Sequence, residues 1–147
     1  MTKDVIIKIS GLQAMDGESG PVEMITAGEY FQRNGKHYIV YDEAMEGFQE
    51  TARNVMKVTP DKMDIIKSGM VKAHMVFEKN QKSSTRYVTP MGEMVVDMLT
   101  KGIALDEQED SLKISVNYSL DINYDHVSDC DIVVDVCSKG TCSSLGL

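Results

Sequence analysis

Apolar and polar side chains alternate strictly along the C-terminal third of the chain. Between Leu112 and Tyr124 every even-numbered position is apolar or aromatic and every odd-numbered position is polar. A helix would place apolar residues three and four positions apart, whereas a strand with one buried and one solvated face repeats every second residue. The pattern therefore predicts a long β-strand. The same alternation predicts further strands at 5–9, 71–77, 94–98 and 130–136.

Turn sequences separate the predicted strands at short intervals. Asn34-Gly35 is the clearest, because a two-residue hairpin turn needs positive φ at both positions and these residues adopt it readily. Other segments alternate less strictly but are rich in β-branched and aromatic residues, near 21–33, 36–44, 50–59, 62–67 and 83–89. The acidic stretch 106–110 is predicted to be a loop, and no segment has a convincing helical pattern.

The connections between these strands decide the predicted fold class. Short connections favour antiparallel neighbours in chain order, and a sheet of about ten strands avoids long exposed edges by closing on itself. We therefore predict an all-β, antiparallel up-and-down meander barrel of about 8–10 strands. A β-sandwich is the alternative, with the loops at 11–20 and 45–50 as possible crossovers.

Several short motifs have an order and spacing similar to those of a known family. The motifs are Gly28-Glu29-Tyr30, Tyr38–Glu43, Ile66–Gly69, Met75-Val76-Phe77, Tyr87–Gly92, Thr100 and Asn117–Leu120. Over residues 3–136 the chain resembles the YwiB-like family, a bacterial domain family of unknown function. The resemblance implies a closed calycin-type (lipocalin-like) barrel in the bacterial cytosol, and it implies no activity and no functional residue. We expect one barrel domain at 1–137 and a short C-terminal tail at 138–147.

Charge and composition narrow the function classes. The 147 residues carry a formal net charge of −8, which disfavours general binding to nucleic acid or anionic membranes. The N-terminus has no secretory signal pattern and no segment has the length of a membrane helix, so we expect a cytoplasmic protein. Cys130, Cys137 and Cys142 are odd in number and lack the close pair of structural zinc sites, which favours reduced thiols.

Methionine and charge distribution bear on what the barrel holds. The chain has 11 methionines, and Met75 lies on a predicted inner face, where flexible side chains either fill gaps or accommodate an apolar guest. Residues 53–86 hold eight basic and three acidic side chains, so one side of the barrel is positive and can attract an anionic ligand or an acidic partner. A solvated outer face explains the same distribution.

Two arginines are the candidate ligand-binding cations. Arg53 and Arg86 lie within strands of mixed pattern, and an inward guanidinium needs a partner such as a bound carboxylate. The candidate donors and contacts around them are Tyr41, Tyr87, Tyr118 and Met75. Internal pairing with Glu29 or Glu43, or exposure to solvent, is the alternative for both arginines.

No catalytic, metal-binding or cofactor motif is present, and we expect none of these functions. His37, His74 and His126 are scattered, and no nucleophile elbow or phosphate-binding loop occurs. The sequence therefore predicts a non-enzymatic barrel that binds a small amphipathic or anionic ligand in its interior. A filled barrel that binds another protein through its outer surface is the alternative, and the sequence leaves the oligomeric state open.

Overall fold

Ten antiparallel strands form the described part of the chain. The computed structural model describes residues 1, 3–13, 21–44 and 49–140. The strands are β1 Asp4–Gln13, β2 Pro21–Arg33, β3 Lys36–Ala44, β4 Thr51–Thr59, β5 Lys62–Gly69, β6 Ala73–Glu78, β7 Lys82–Thr89, β8 Gly92–Glu107, β9 Ser111–Ile122 and β10 Asp125–Ser138. The described residues contain no helix, and thus none that is long and apolar enough to cross a membrane.

The strands form one sheet that curls into a nearly closed barrel. The spatial order is β6-β5-β4-β3-β2-β1-β10-β9-β8-β7, so laddered neighbours are consecutive in the chain except where the first strand meets the last. That junction is a continuous ladder, from Val5 opposite Ser138 to Ser10 opposite Val133. The predicted antiparallel meander is confirmed, and the sheet order contains no sandwich crossover.

The junction between β6 and β7 differs from all the others in the sheet. A single backbone bridge joins these strands, in which Lys72 and Val88 exchange two hydrogen bonds of 2.9 Å. Between this bridge and the hairpin turn, the His74 amide donates to the hydroxyl of Thr85 at 3.3 Å instead of to a carbonyl. The barrel is therefore sealed by a ladder where the termini meet and by isolated contacts in the middle of the chain.

Turn and bulge residues account for the tight connections. Asn34 and Gly35 have φ values of 54° and 76°, as the two-residue turn between β2 and β3 requires. Gly11, with φ 81°, lies at a register shift between Ser10 and Leu12, and a Cβ there would lie 1.8 Å from the Asp131 carbonyl oxygen. Only glycine fits this bulge, which lets β1 bend with the barrel wall.

The alternating apolar side chains fill the barrel interior. The largest fully buried ones are Phe77, Ile7, Ile39, Met56, Met63, Met98, Leu112, Ile114, Leu120, Val5, Val58 and Val71. Burial of each such side chain stabilises the fold by roughly 1.5–3 kcal/mol. The predicted loop at 106–110 is shorter than expected, because β8 continues to Glu107 before β9 begins at Ser111.

The cysteines depart from the expectation of reduced thiols. Cys130 is buried and free, whereas Cys137 is disulfide-bonded. The expectation was wrong for Cys137, because an odd count of cysteines does not exclude a disulfide. Cys142 and most of the predicted tail lie outside the described residues.

Candidate ligand-binding cavity

A small cavity remains inside the barrel near the ends of β3 and β5. Its volume is about 70 Å³. Its apolar lining consists of Ile9, Met24, Met56, Ile65, Met75, Phe77, Met98, Leu120 and Ile132. Its polar lining consists of Tyr41, Glu43, Lys67, Tyr87 and Tyr118. The interior is thus mostly filled, and the unfilled part has one apolar region and one polar region.

A charged network forms the polar end of this cavity. Lys67 donates hydrogen bonds to Glu43 Oε1 at 3.1 Å and to the side-chain carbonyl of Asn54 at 2.7 Å. The Asn54 amide donates to the same Glu43 oxygen at 3.5 Å. Only 9% of the Lys67 side chain and 25% of the Glu43 side chain are exposed, and Asn54 is fully buried. The network has no net charge, since the ammonium and carboxylate offset each other.

Strand register brings these residues together. Tyr41 lies opposite Asn54 on β4, and Asn54 lies opposite Lys67 on β5. Directly opposite residues share a face of the sheet, so the three side chains form one inward-facing row. Glu43 follows Tyr41 by two positions and therefore points to the same side.

The phenols beside this network are protonated donors over the physiological pH range. Burial, and then the charge of Glu43, raises the pKa of Tyr87 to about 12. The same two causes, with a smaller one from Tyr87, raise the pKa of Tyr41. Neither hydroxyl has a hydrogen-bond partner among the residues that the structure describes. Both are therefore free to donate to a molecule in the cavity.

Tyr118 differs from these two tyrosines because the group that acts on the pKa of its hydroxyl is the Cys130 thiol and not the Glu43 carboxylate. Burial raises the pKa of Tyr118 most, and charge interaction and hydrogen bonding with Cys130 add to the effect. Its ring packs edge-on against Phe77, with ring centroids 5.0 Å apart. Tyr118 thus forms part of the wall, and we assign it no donor role toward a ligand.

Four of the six candidate residues from the sequence meet at this cavity. Tyr41, Tyr87, Tyr118 and Met75 line it, although whether they bind a ligand stays a prediction. Sequence reasoning missed Asn54 and Lys67 as site residues, and it considered Glu43 only as a partner for an arginine. The alternation Met63, Ile65, Lys67 places that lysine on the inner face and was the available signal.

The inward orientation considered for the two arginines is wrong. Arg53 pairs with Asp42 at 3.6 Å, and 57% of its side chain is exposed. Arg86 pairs with Glu93 at 3.8 Å, and 75% of its side chain is exposed. Each arginine lies between two inward residues of its strand, so the pleat directs it to solvent.

A second polar cluster lies at the opposite end of β3. The Tyr30 hydroxyl and Nδ1 of His37 share a hydrogen bond of 2.6 Å, and the His37 ring is buried. His37 Nε2 lies 3.6 Å from the carboxylate of Glu107, which is half exposed. Burial, and then the charge of Glu107, raises the pKa of Tyr30. In this cluster the phenol is already bonded to the protein.

The described residues contain no group of three or more His, Cys, Asp or Glu side chains placed to hold a metal ion.

Comparison with known families gives the chain its relatives. The profile of a domain of unknown function, DUF1934, matches residues 7–134, which is most of the chain. The chain belongs to this family. Membership in the DUF1934 family assigns no activity to the cavity.

A relative and a solved structure agree with this assignment. The uncharacterised β-barrel protein YwiB of Bacillus subtilis (strain 168) is 27% identical over 107 residues, which are 73% of this chain and 74% of that protein. The crystal structure of the ywiB protein from Bacillus subtilis has a TM-score of 0.78 at 22% identity and covers 92% of both chains. The resemblance to the YwiB-like family is confirmed, and the structural likeness shows that the DUF1934 barrel fold is shared.

Proposed function

We propose that the protein binds a small amphipathic ligand in the barrel interior and performs no chemistry on it. The observation that carries this proposal is the cavity itself, which has an apolar body and two phenol hydroxyls without protein partners at one end. Binding sites for small molecules typically combine an apolar lining with a few placed polar groups.

The size of the cavity limits the ligand. At about 70 Å³ it is smaller than the ~150 Å³ apolar cavity that holds a benzene molecule. A short alkyl chain therefore fits, with its head group near Tyr41 and Tyr87. Four methionines in the lining are flexible and polarizable, so modest rearrangement around a slightly larger guest costs little.

Native mass spectrometry of the protein purified from cells tests this proposal. We expect a mass excess that is lost on denaturation and is absent in Ile65→Phe, because the larger ring occupies the cavity. Ile66→Phe is the matched control, since Ile66 is the next residue and is 40% exposed. Equal mass excess in both variants, or no mass excess in the wild-type protein, contradicts binding in the cavity.

A second candidate function is protein binding through the outer surface, and the junction between β6 and β7 supports it. Lys72, Lys79 and Lys82 are exposed there and form no ion pair with any described residue. Unpaired strand edges and free positive charge are both suited to an acidic partner. A pull-down that loses a partner when these three lysines are changed to glutamate, and keeps it in Ile65→Phe, favours this function.

Two narrower predictions from the sequence are proposals of the same kind. We propose that the barrel is of the calycin (lipocalin-like) type, which rests on the family resemblance and on the interior cavity. We also propose a cytoplasmic location, which rests on the sequence pattern. The disulfide of Cys137 weighs against that location, because structural disulfides are rare in the cytosol.

A further inference from the structure

We propose that the ligand has an uncharged head group that accepts hydrogen bonds, such as an amide, ester or ketone carbonyl, on a short apolar chain. This inference rests on the proposed function, since it concerns the same cavity. The sequence predicted an amphipathic or anionic ligand, and this inference restricts the ligand to one with a neutral head group.

The charge balance at the polar end disfavours a charged head group. Lys67 is the cation in the cavity lining, and it already donates to Glu43 and Asn54. An anionic head would have to displace Glu43 or lie beside its carboxylate, and a cationic head would lie beside the Lys67 ammonium. Both arginines that might have neutralised an anion point to solvent. A charged ligand would thus be desolvated without a free counter-charge.

The free groups at the polar end are donors. The hydroxyls of Tyr41 and Tyr87 both lie at the cavity and have no partner among the described residues. Tyr87 also points into the barrel. The bridge between Lys72 and Val88 places Tyr87 opposite Ala73, which is buried, and directly opposite residues share a face of the sheet. Two neutral donors on one side of an empty volume match the lone pairs of a carbonyl oxygen. The pKa directions of both tyrosines keep these donors protonated.

The apolar region of the cavity limits the size and polarity of the ligand beyond its head group. Met24, Met56, Met75 and Met98 contribute to it from four different strands. A volume of about 70 Å³ accepts a few methylene or methyl groups and excludes a long acyl chain unless the methionines move. The ligand class is therefore a short-chain neutral carbonyl compound.

Titration of three four-carbon probes of similar size tests the inference on the unmodified protein. The probes are butanamide, butanoate and n-butylamine, and the signals are the methyl groups of ¹³C-labelled methionine. We expect butanamide to shift the methyl signals of cavity methionines with a dissociation constant about tenfold or more below those of the two ions, because burying an uncompensated charge costs more than burying an amide. Assignment comes from single Met→Leu variants of the cavity residues.

The three outcomes separate this inference from the proposed function. If butanoate or n-butylamine binds in the cavity as tightly as butanamide, the neutral head group is overturned and the binding function stands. If none of the three shifts a cavity methionine, both are overturned. Preferential binding of butanamide supports both.

Charge variants test the reason for the preference. In Glu43→Gln the Lys67 charge is unpaired, so we expect butanoate to become the tightest probe. In Lys67→Met the Glu43 charge is unpaired, so we expect n-butylamine to gain instead. Changes in the exposed Lys62–Glu78 pair, 3.9 Å apart on the outer surface, are the matched control and should leave the order of the probes unchanged. An order that does not respond to either cavity variant overturns the electrostatic argument.

Hydroxyl removal tests the donors. We expect Tyr41→Phe and Tyr87→Phe each to weaken butanamide binding by about three- to tenfold, as loss of one neutral hydrogen bond does. Tyr38→Phe is the control, because Tyr38 stacks on Phe31 at a centroid distance of 4.9 Å, away from the cavity lining. Unchanged binding in both cavity variants would contradict the assigned role of the two phenols.

Discussion

The two ends of β3 place polar side chains inside the same barrel in different ways. At its start, His37 holds the Tyr30 hydroxyl at 2.6 Å, and Glu107 lies on the other side of the imidazole. Roughly 20 Å along the strand, Glu43 and Lys67 pair with each other and leave two phenols unbonded. We call these the histidine cluster (Tyr30, His37, Glu107) and the lysine cluster (Glu43, Asn54, Lys67).

This difference in hydrogen bonding indicates where a ligand can bind. In the histidine cluster the phenol is bonded to protein, so a guest there would have to break an existing hydrogen bond. In the lysine cluster the charged groups satisfy each other and the neutral donors beside them are free. The lysine cluster also borders an empty apolar volume, whereas the groove beside Tyr30 opens onto polar residues such as Lys3, Gln32 and Glu109.

The largest expected effect is on stability when Lys67 is removed. In Lys67→Met the mostly buried Glu43 carboxylate loses its cation and the buried Asn54 carbonyl loses its donor, and we expect the free energy of unfolding to fall by about 3 kcal/mol. The double variant Lys67→Met/Glu43→Gln should recover much of the lost free energy of unfolding, since the uncompensated charge is gone. Urea denaturation measures both. Lys62→Met, in the exposed pair, should cost less than ~1 kcal/mol; a similar loss at both sites would remove the distinction.

Removal of the Tyr30 or the Tyr41 hydroxyl tests which of the two is hydrogen-bonded to the protein. Tyr30→Phe leaves a nitrogen of the buried His37 without its partner, so we expect a loss of about 1–3 kcal/mol in the free energy of unfolding. Tyr41→Phe removes a hydroxyl that has no partner in the described chain, and we expect a change below ~0.5 kcal/mol without ligand. The same urea series compares them. Equal losses would mean that the Tyr41 hydroxyl has an internal role.

Alkaline pH should destabilise the protein through Tyr30 of the histidine cluster and through the two phenols beside the lysine cluster. Tyr87 has a pKa of about 12 when folded against 10.0 in the unfolded chain, so below pH 10 it is protonated in both states. As the pH rises from 10 to about 12 the unfolded chain loses this proton first, and stability falls. Tyr30 and Tyr41 act in the same direction. Unfolding midpoints across this range should fall less steeply in Tyr87→Phe, and an unchanged slope would contradict the shift.

The smallest effect distinguishes the two carboxylates. Glu43 raises the pKa of both Tyr41 and Tyr87, whereas Glu107 raises that of Tyr30. Glu43→Gln should therefore lower the alkaline transitions of two tyrosines, and Glu107→Gln that of one. Absorbance of the phenolate form measures these transitions, with Tyr→Phe variants to assign them. Glu93→Gln, in the exposed pair with Arg86, should leave all three unchanged.

The positions of the strands, and which alternate residues of each strand share a face, could be predicted from the sequence. Strict alternation located five of the strands, β-branched and aromatic residues indicated the other five, Asn34-Gly35 marked a hairpin, and short connections predicted the meander order. Met75 was a candidate site residue because it lies on a predicted apolar face, and Tyr41 was one because its hydroxyl can donate to a bound ligand. The strand that contains Arg53 has a mixed pattern, but three of its apolar residues, Ala52, Met56 and Val58, share the parity opposite to that of Arg53.

The pairing of Glu43 with Lys67 lay beyond sequence reasoning. These residues are 24 positions apart, and their contact depends on the registers of two hairpins at once. A shift of one residue in either hairpin would turn Lys67 to solvent. Parity determines which face a residue occupies, and register determines its neighbour there.

The strands, each with one apolar face, and the short turns between them follow from the residues alone, because a period of two and the turn residues are local properties. How the sheet closes into a barrel is visible only in the folded structure, which has a ladder between β1 and β10 and a single bridge at the junction between β6 and β7. The folded structure also decided which charges cancel inside and which hydroxyls remain free. Those outcomes depend on distances between residues far apart in the chain, and only the folded barrel sets those distances.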